Sequence, residues 1–167
     1  MEEIKNKVAE SGLITIDLKD FFSNQEVLSF DLKPFLFMEM LLKEKDFRTS
    51  LNEYDWTPFQ GKITNVYCST DAIIPMWAYM LVVSKLSGIA SEIYFGSIED
   101  MEKDIFIANM NKIDTATYID KRVVVKGCGD KEIPPFAYLE ISKKLIPVVK
   151  SLMYGEPCST VPVYKKK

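Results

Sequence analysis

Cys68, Cys128 and Cys158 are the only thiols of this chain, and it has no histidine. Without imidazole, a His general base, a Ser-His or Cys-His couple and a His metal ligand are all excluded. Each cysteine sits in a polar turn, not in an apolar run: Cys68-Ser-Thr-Asp71, Cys128-Gly-Asp130 and Cys158-Ser-Thr160, with Glu156 just ahead of the last. These residue types allow two chemistries. Three thiolates with a carboxylate from Asp71, Asp130 or Glu156 suit a zinc or iron site. The spacing lacks the paired C-x-x-C motif that would single this out. Alternatively, one cysteine is a nucleophile whose thiolate is favoured by the positive end of the following helix. Its base would then be Asp, Glu, Lys or Tyr. A third reading makes the cysteines structural parts of a non-catalytic scaffold, since Cys is among the most buried residue types. Whether the protein is an enzyme stays open at this point.

The elements that must position these groups repeat. Shifted by 59 positions, the stretch 71–80 lies over 130–139, pairing Asp71 with Asp130 and Tyr79 with Tyr138. Leu86 then meets Leu145 and Gly96 meets Gly155, while Cys68 and Cys128 fall in register once a single residue is allowed for. The two aspartates read most simply as helix caps and the two tyrosines as core residues. Lys126 and Lys131 flank Cys128 and could hold an anion, though solvation is the default for lysine.

Strands are expected at 62–68, 91–96, 121–128 and 151–155, and helices at 74–86, 98–110 and 134–146. That alternation predicts an α/β fold: duplicated βαβ units forming a mainly parallel four-stranded sheet, in the order 91–96, 62–68, 121–128, 151–155. In that order Cys68 and Cys128 end neighbouring strands about 4.8 Å apart, at a switch point where open sheets bind ligands. Cys158 follows the last strand and reaches the same edge. Residues 1–60 read as an N-terminal α+β covering segment, with a strand near 13–18 and a helix opened by Asp31 and Pro34, whose face is Phe35, Met38, Leu41 and Leu42 and whose continuation, Lys43 to Asn52, is highly charged but for Phe47 and Leu51. The chain is expected to be a single domain, with the duplicated core at 61–167.

Composition narrows the function classes. A net charge of −3 gives no electrostatic case for nucleic acid. The longest apolar run, 72–83, contains Pro75 and is well short of the roughly 20 residues that span a bilayer. No leader pattern is visible, and an odd number of cysteines suits a reducing compartment, so a cytoplasmic location is expected. No G-x-G-x-x-G or P-loop motif accompanies the expected strands, so the chain carries no NAD or nucleotide fingerprint. The segment 74–86 is apolar on nearly every side, and Phe37 and Met40 point away from the helix face expected at 35–42. Both features predict a homodimer that buries the remainder.

The blocks Tyr67-Cys-Ser-Thr-Asp71, Ile74-Pro-Met-Trp-Ala-Tyr-Met80, Val124-Val-Lys-Gly-Cys128 and Tyr154-Gly-Glu-Pro-Cys-Ser-Thr-Val-Pro162 resemble those of the bacterial domain-of-unknown-function family 2480. The likeness runs from about Asp31 to Tyr164 and carries no catalytic residue with it. It implies a link to iron–sulfur cluster assembly, hence metal or sulfur handling at the thiols and assembly proteins as partners.

Overall fold

The computed structural model describes residues 12–127, 129 and 132–167; Cys128, Asp130 and Lys131 lie outside them. The protein is a mixed α/β structure whose strands are β1 (Leu13–Asp17), β2 (Val27–Asp31), β3 (Ile63–Tyr67), β4 (Glu92–Phe95), β5 (Arg122–Lys126), β6 (Ser151–Glu156) and β7 (Ser159–Lys165). Its helices are α1 (Glu44–Glu53), α2 (Met76–Leu86), α3 (Ile98–Asn111) and α4 (Pro135–Leu145). The strands form a four-stranded sheet, β1-β5-β6-β7, and a three-stranded sheet, β2-β3-β4. The chain divides into two compact units, the first made of Met1–Ser23 with Lys103–Lys167 and the second of Asn24–Glu102.

In unit 1, β1, β5 and β6 are parallel neighbours, and β7 returns antiparallel along the outer edge of β6. The Val-Val-Val centre of β5 favours an extended chain and is fully covered. Ala137, Ile141 and Leu145 recur every four residues along α4, so they form one buried stripe. That stripe joins Phe106 and Met110 of α3 over Ile16, Val123, Val125 and Leu152 of the sheet. Burial of each such large apolar side chain contributes roughly 1.5–3 kcal/mol.

In unit 2, β2, β3 and β4 are parallel neighbours, with α1 between the first two and α2 between the last two. Ala78, Val82 and Leu86 of α2 form the stripe that Ala137, Ile141 and Leu145 form in α4. It packs with Phe47 and Leu51 of α1 over Phe30 and Val66. Both α2 and α4 start from a proline N-cap, Pro75 and Pro134, whose fixed φ suits a helix start.

The structure corrects the expected arrangement in three places. Strands 62–68 and 121–128 do not neighbour each other; β3 and β5 belong to different sheets, each flanked on one side by a strand from the N-terminal part. Within the expected covering segment, β1 and β2 are not a cover but integral strands of the two sheets. Finally, of the helix expected from Pro34 to Asn52 only the second part forms, as α1, and residues 36–42 are not helical. The 3-10 turn Lys33–Phe35 is followed by Met38 and Glu39 at φ 52 and 59, left-handed values that end any right-handed helix.

Candidate functional site

The parallel strands of each unit end at one edge, where open α/β sheets carry their chemistry. In unit 2 that edge is tied together by Asp31, the last residue of β2. Its carboxylate accepts the Lys33 N–H at 2.9 Å, the Ser69 N–H at 3.0 Å and the Ser69 hydroxyl at 2.5 Å. Partial burial works to raise the Asp31 carboxyl, but the bonds from Ser69 and Lys33 outweigh it and hold the pKa below the usual carboxylate value. The turn so fixed presents Cys68, a free, half-buried thiol packed against the apolar core. Tyr79 of α2 stands close by. Burial pushes its phenol up, and the charge that Cys68 can carry adds to the shift.

Asn65, in the middle of β3, is buried. Its amide oxygen accepts from the Ser29 hydroxyl at 2.6 Å and its amide nitrogen donates to the Gly96 carbonyl at 2.9 Å. This one side chain therefore bridges β2 and the exit of β4.

In unit 1 the corresponding edge begins with Asp17, which accepts the Lys19 N–H at 3.1 Å as Asp31 accepts that of Lys33. The strand register places Gly127, not Cys128, at the position equivalent to Cys68, because β3 ends at Tyr67 and β5 at Lys126. A Cβ on Gly127 would meet the Tyr138 hydroxyl and ring, so a larger residue there must displace Tyr138. The exit of β5 runs beside the end of β6, where Lys126 and Glu156 form an ion pair at 3.2 Å. Cys158 follows in the β6–β7 turn as an exposed free thiol.

An apolar groove opens next to this edge. It measures about 720 Å³ and is lined by Val125, Tyr138, Leu139, Ile146, Tyr154 and Val163, with Ser142 and Lys143 at its rim. Tyr138 joins groove and edge, since it lines the one and touches Gly127 at the other. The equivalent groove of unit 2, lined by Val66, Tyr79, Val83, Ile93 and Phe95, measures only about 210 Å³.

Glu156 and Cys158 lie on the edge of unit 1, and Cys68 and Asp71 belong to unit 2. Asp71 is exposed and does not cap α2, whose N-cap is Pro75 without a side-chain bond. Cys128 and Asp130 lie outside the described residues. The inference that Cys68 and Cys128 end neighbouring strands does not hold, because β3 and β5 are in separate sheets. Among the described residues, no three Cys, Asp or Glu side chains gather closely enough to hold a metal ion. No helix among them is long and apolar enough to cross a membrane.

Asp17 and Asp31 anchor both edges, a role the sequence pattern did not suggest for Asp17 and one other than the helix opening expected of Asp31. Their signal is a second repeat, Asp17-Leu-Lys-Asp-Phe21 and Asp31-Leu-Lys-Pro-Phe35, at a spacing of 14 rather than 59.

A family model described as protein of unknown function (DUF2480) matches residues 2–166. No curated protein and no solved structure matches the chain.

Proposed function

The chain belongs to the DUF2480 family, and from that premise we propose that it is a cytoplasmic accessory protein of metal or sulfur handling, working at the strand-exit edge of unit 1. The observation that carries this reading is the side-by-side placement of the β5 exit and the β6–β7 turn, held by the Lys126–Glu156 ion pair, with the exposed thiol of Cys158 at its tip. Cys128 follows Gly127 directly in sequence. Two thiolates with Glu156 or Asp130 form a donor set suited to zinc or iron. The carboxylate of Glu156 would exchange Lys126 for the metal. The adjoining groove is of a size and apolar character suited to a small ligand or an apolar segment of a partner, in keeping with iron–sulfur assembly proteins as partners.

A second reading, a small-molecule enzyme with a cysteine nucleophile, centres on Cys68. Its support is the neighbouring Tyr79, whose raised phenol stays protonated and can donate to a thiolate. Metal analysis of protein purified without added metal separates the two. The first reading expects zinc or iron in the wild type and in Cys68→Ser, lost from Cys128→Ser and Cys158→Ser. Metal-free protein that takes up none, with one thiol alkylated far faster than the others at neutral pH, would replace it by the second.

A further inference from the structure

The two units differ most at the outer edge of their third parallel strand. In unit 1, β6 pairs with β5 on one side and antiparallel with β7 on the other. In unit 2 the strand in that place is β4, and among the described residues no strand pairs with its outer edge. Gly96 donates its N–H to the Val66 carbonyl at 3.0 Å, and alternation along the strand turns the backbone groups of Ile93 and Phe95 outward. Tyr154, which is to β6 what Phe95 is to β4, pairs with Val161 of β7.

The side chains around that edge are apolar and exposed. Met76 and Met80 of α2 are each 72% exposed and Phe95 is 68% exposed, with Val83 continuing the row along the helix. Phe95 meets α2 through an edge-to-face contact with Tyr79 at 5.4 Å. The equivalent row of α4 is Pro135, Leu139 and Ser142, with the Glu140–Lys143 ion pair beside it, so there only Leu139 is a large exposed apolar side chain.

We propose that β4 pairs antiparallel with β4 of a second copy of this chain, closing the edge as β7 closes that of β6, with the Met76–Met80–Val83 rows packed across the two-fold axis. Self-pairing fits this strand. In the register that lets Ile93 and Phe95 exchange backbone bonds, Ile93 faces Phe95 of the other copy, and Glu92 falls opposite Gly96 and not opposite itself. A two-fold contact sets the same patch against itself, and a row without charge suits that. Methionine adapts readily to such a surface.

Sedimentation equilibrium on the full chain at micromolar concentrations tests the proposal, together with hydrogen exchange. The expected mass is twice 19.2 kDa, with the Ile93 and Phe95 amides protected. Phe95→Lys and Met80→Glu, both at exposed positions that leave far-UV circular dichroism unchanged, should weaken association at least tenfold. Leu139→Lys, the counterpart of Met80 on α4, should leave the dimer intact. A wild type that stays at 19.2 kDa as concentration rises, a dimer that survives both substitutions, or a dimer with unprotected Ile93 and Phe95 amides would each overturn it.

Discussion

Where the central strand of unit 2 exits into Cys68, that of unit 1 exits into Gly127. Where unit 2 puts Asn65 in the middle of that strand, unit 1 puts Val124. Both units nevertheless pass through strand, helix, strand, helix and strand, with an aspartate fixing the exit of the first strand in each. The comparison separates two roles that one sheet cannot easily combine. Unit 2 spends its polar groups on tying strands together, through Asn65 across β2 and β4 and through Asp31 across β2 and β3. Unit 1 fills the same central position with an apolar residue, opens a larger groove, and keeps its charged and thiol groups, Lys126, Glu156 and Cys158, at the exit.

The sharpest way to break the comparison is at Gly127. Gly127→Ala pushes a methyl group into Tyr138, and overpacking of this kind costs about 1–3 kcal/mol. Cys68→Ala, at the equivalent place, only removes a half-buried sulfur and should cost clearly less. Denaturant melts check both. Adding Tyr138→Leu to Gly127→Ala should recover much of the loss, because the two changes share one contact. Equal costs for Gly127→Ala and Cys68→Ala would show that the two exits are not shaped differently.

A somewhat smaller effect is expected from making unit 2 resemble unit 1. Asn65→Val leaves the Ser29 hydroxyl and the Gly96 carbonyl without this partner and should cost about 1–2 kcal/mol. Ser29→Ala combined with Asn65→Val removes a second polar group and should be milder than Asn65→Val alone. If the double variant is the worse of the two, the bridge is not what holds Asn65 in place.

The smallest effect is in acid. The Asp31 carboxyl is held below its ordinary value of 3.8 in the folded chain. Its stabilising contribution is therefore complete above that value and is lost as pH falls through the lower folded one. Asp31→Asn should flatten the dependence of stability on pH in that acid window, with no change of slope near neutrality. A thermal melting series against pH shows it; unchanged slopes below pH 4 would contradict the assignment.

Much of this frame is legible in the chain itself. The Val-Val-Val run of β5, the Ala-x-x-x-Ile-x-x-x-Leu stripe of α4 and the Pro-initiated helices follow from local periodicity. The strand and helix positions from 62 onward agree with expectation to within a few residues. What local periodicity does not encode is the choice of strand partner. Leu13 pairs with Arg122 across most of the chain, and β2 intervenes before β3 in the same way. Without those flanking strands, joining the two Cys-bearing strands is the natural assumption, whereas β3 and β5 lie in separate sheets. The expected helix forms over its second part, as α1, but its first part fails for a backbone reason: the apolar spacing is helical, yet Met38 and Glu39 take left-handed φ in a turn whose side chains are exposed. The position of Glu156 and Cys158 at the β6 exit was legible from their turn. The aspartate anchors were not, because their repeat runs at a different spacing from that of the helices.

The claim that the thiol chemistry belongs to the edge of unit 1 is tested most directly by cobalt substitution, since thiolate ligation of cobalt gives a charge-transfer absorption in the near ultraviolet. Wild type and Cys68→Ser should develop that band on stoichiometric addition of cobalt, and Cys158→Ser should not. A band that persists in Cys158→Ser and vanishes in Cys68→Ser would contradict the account.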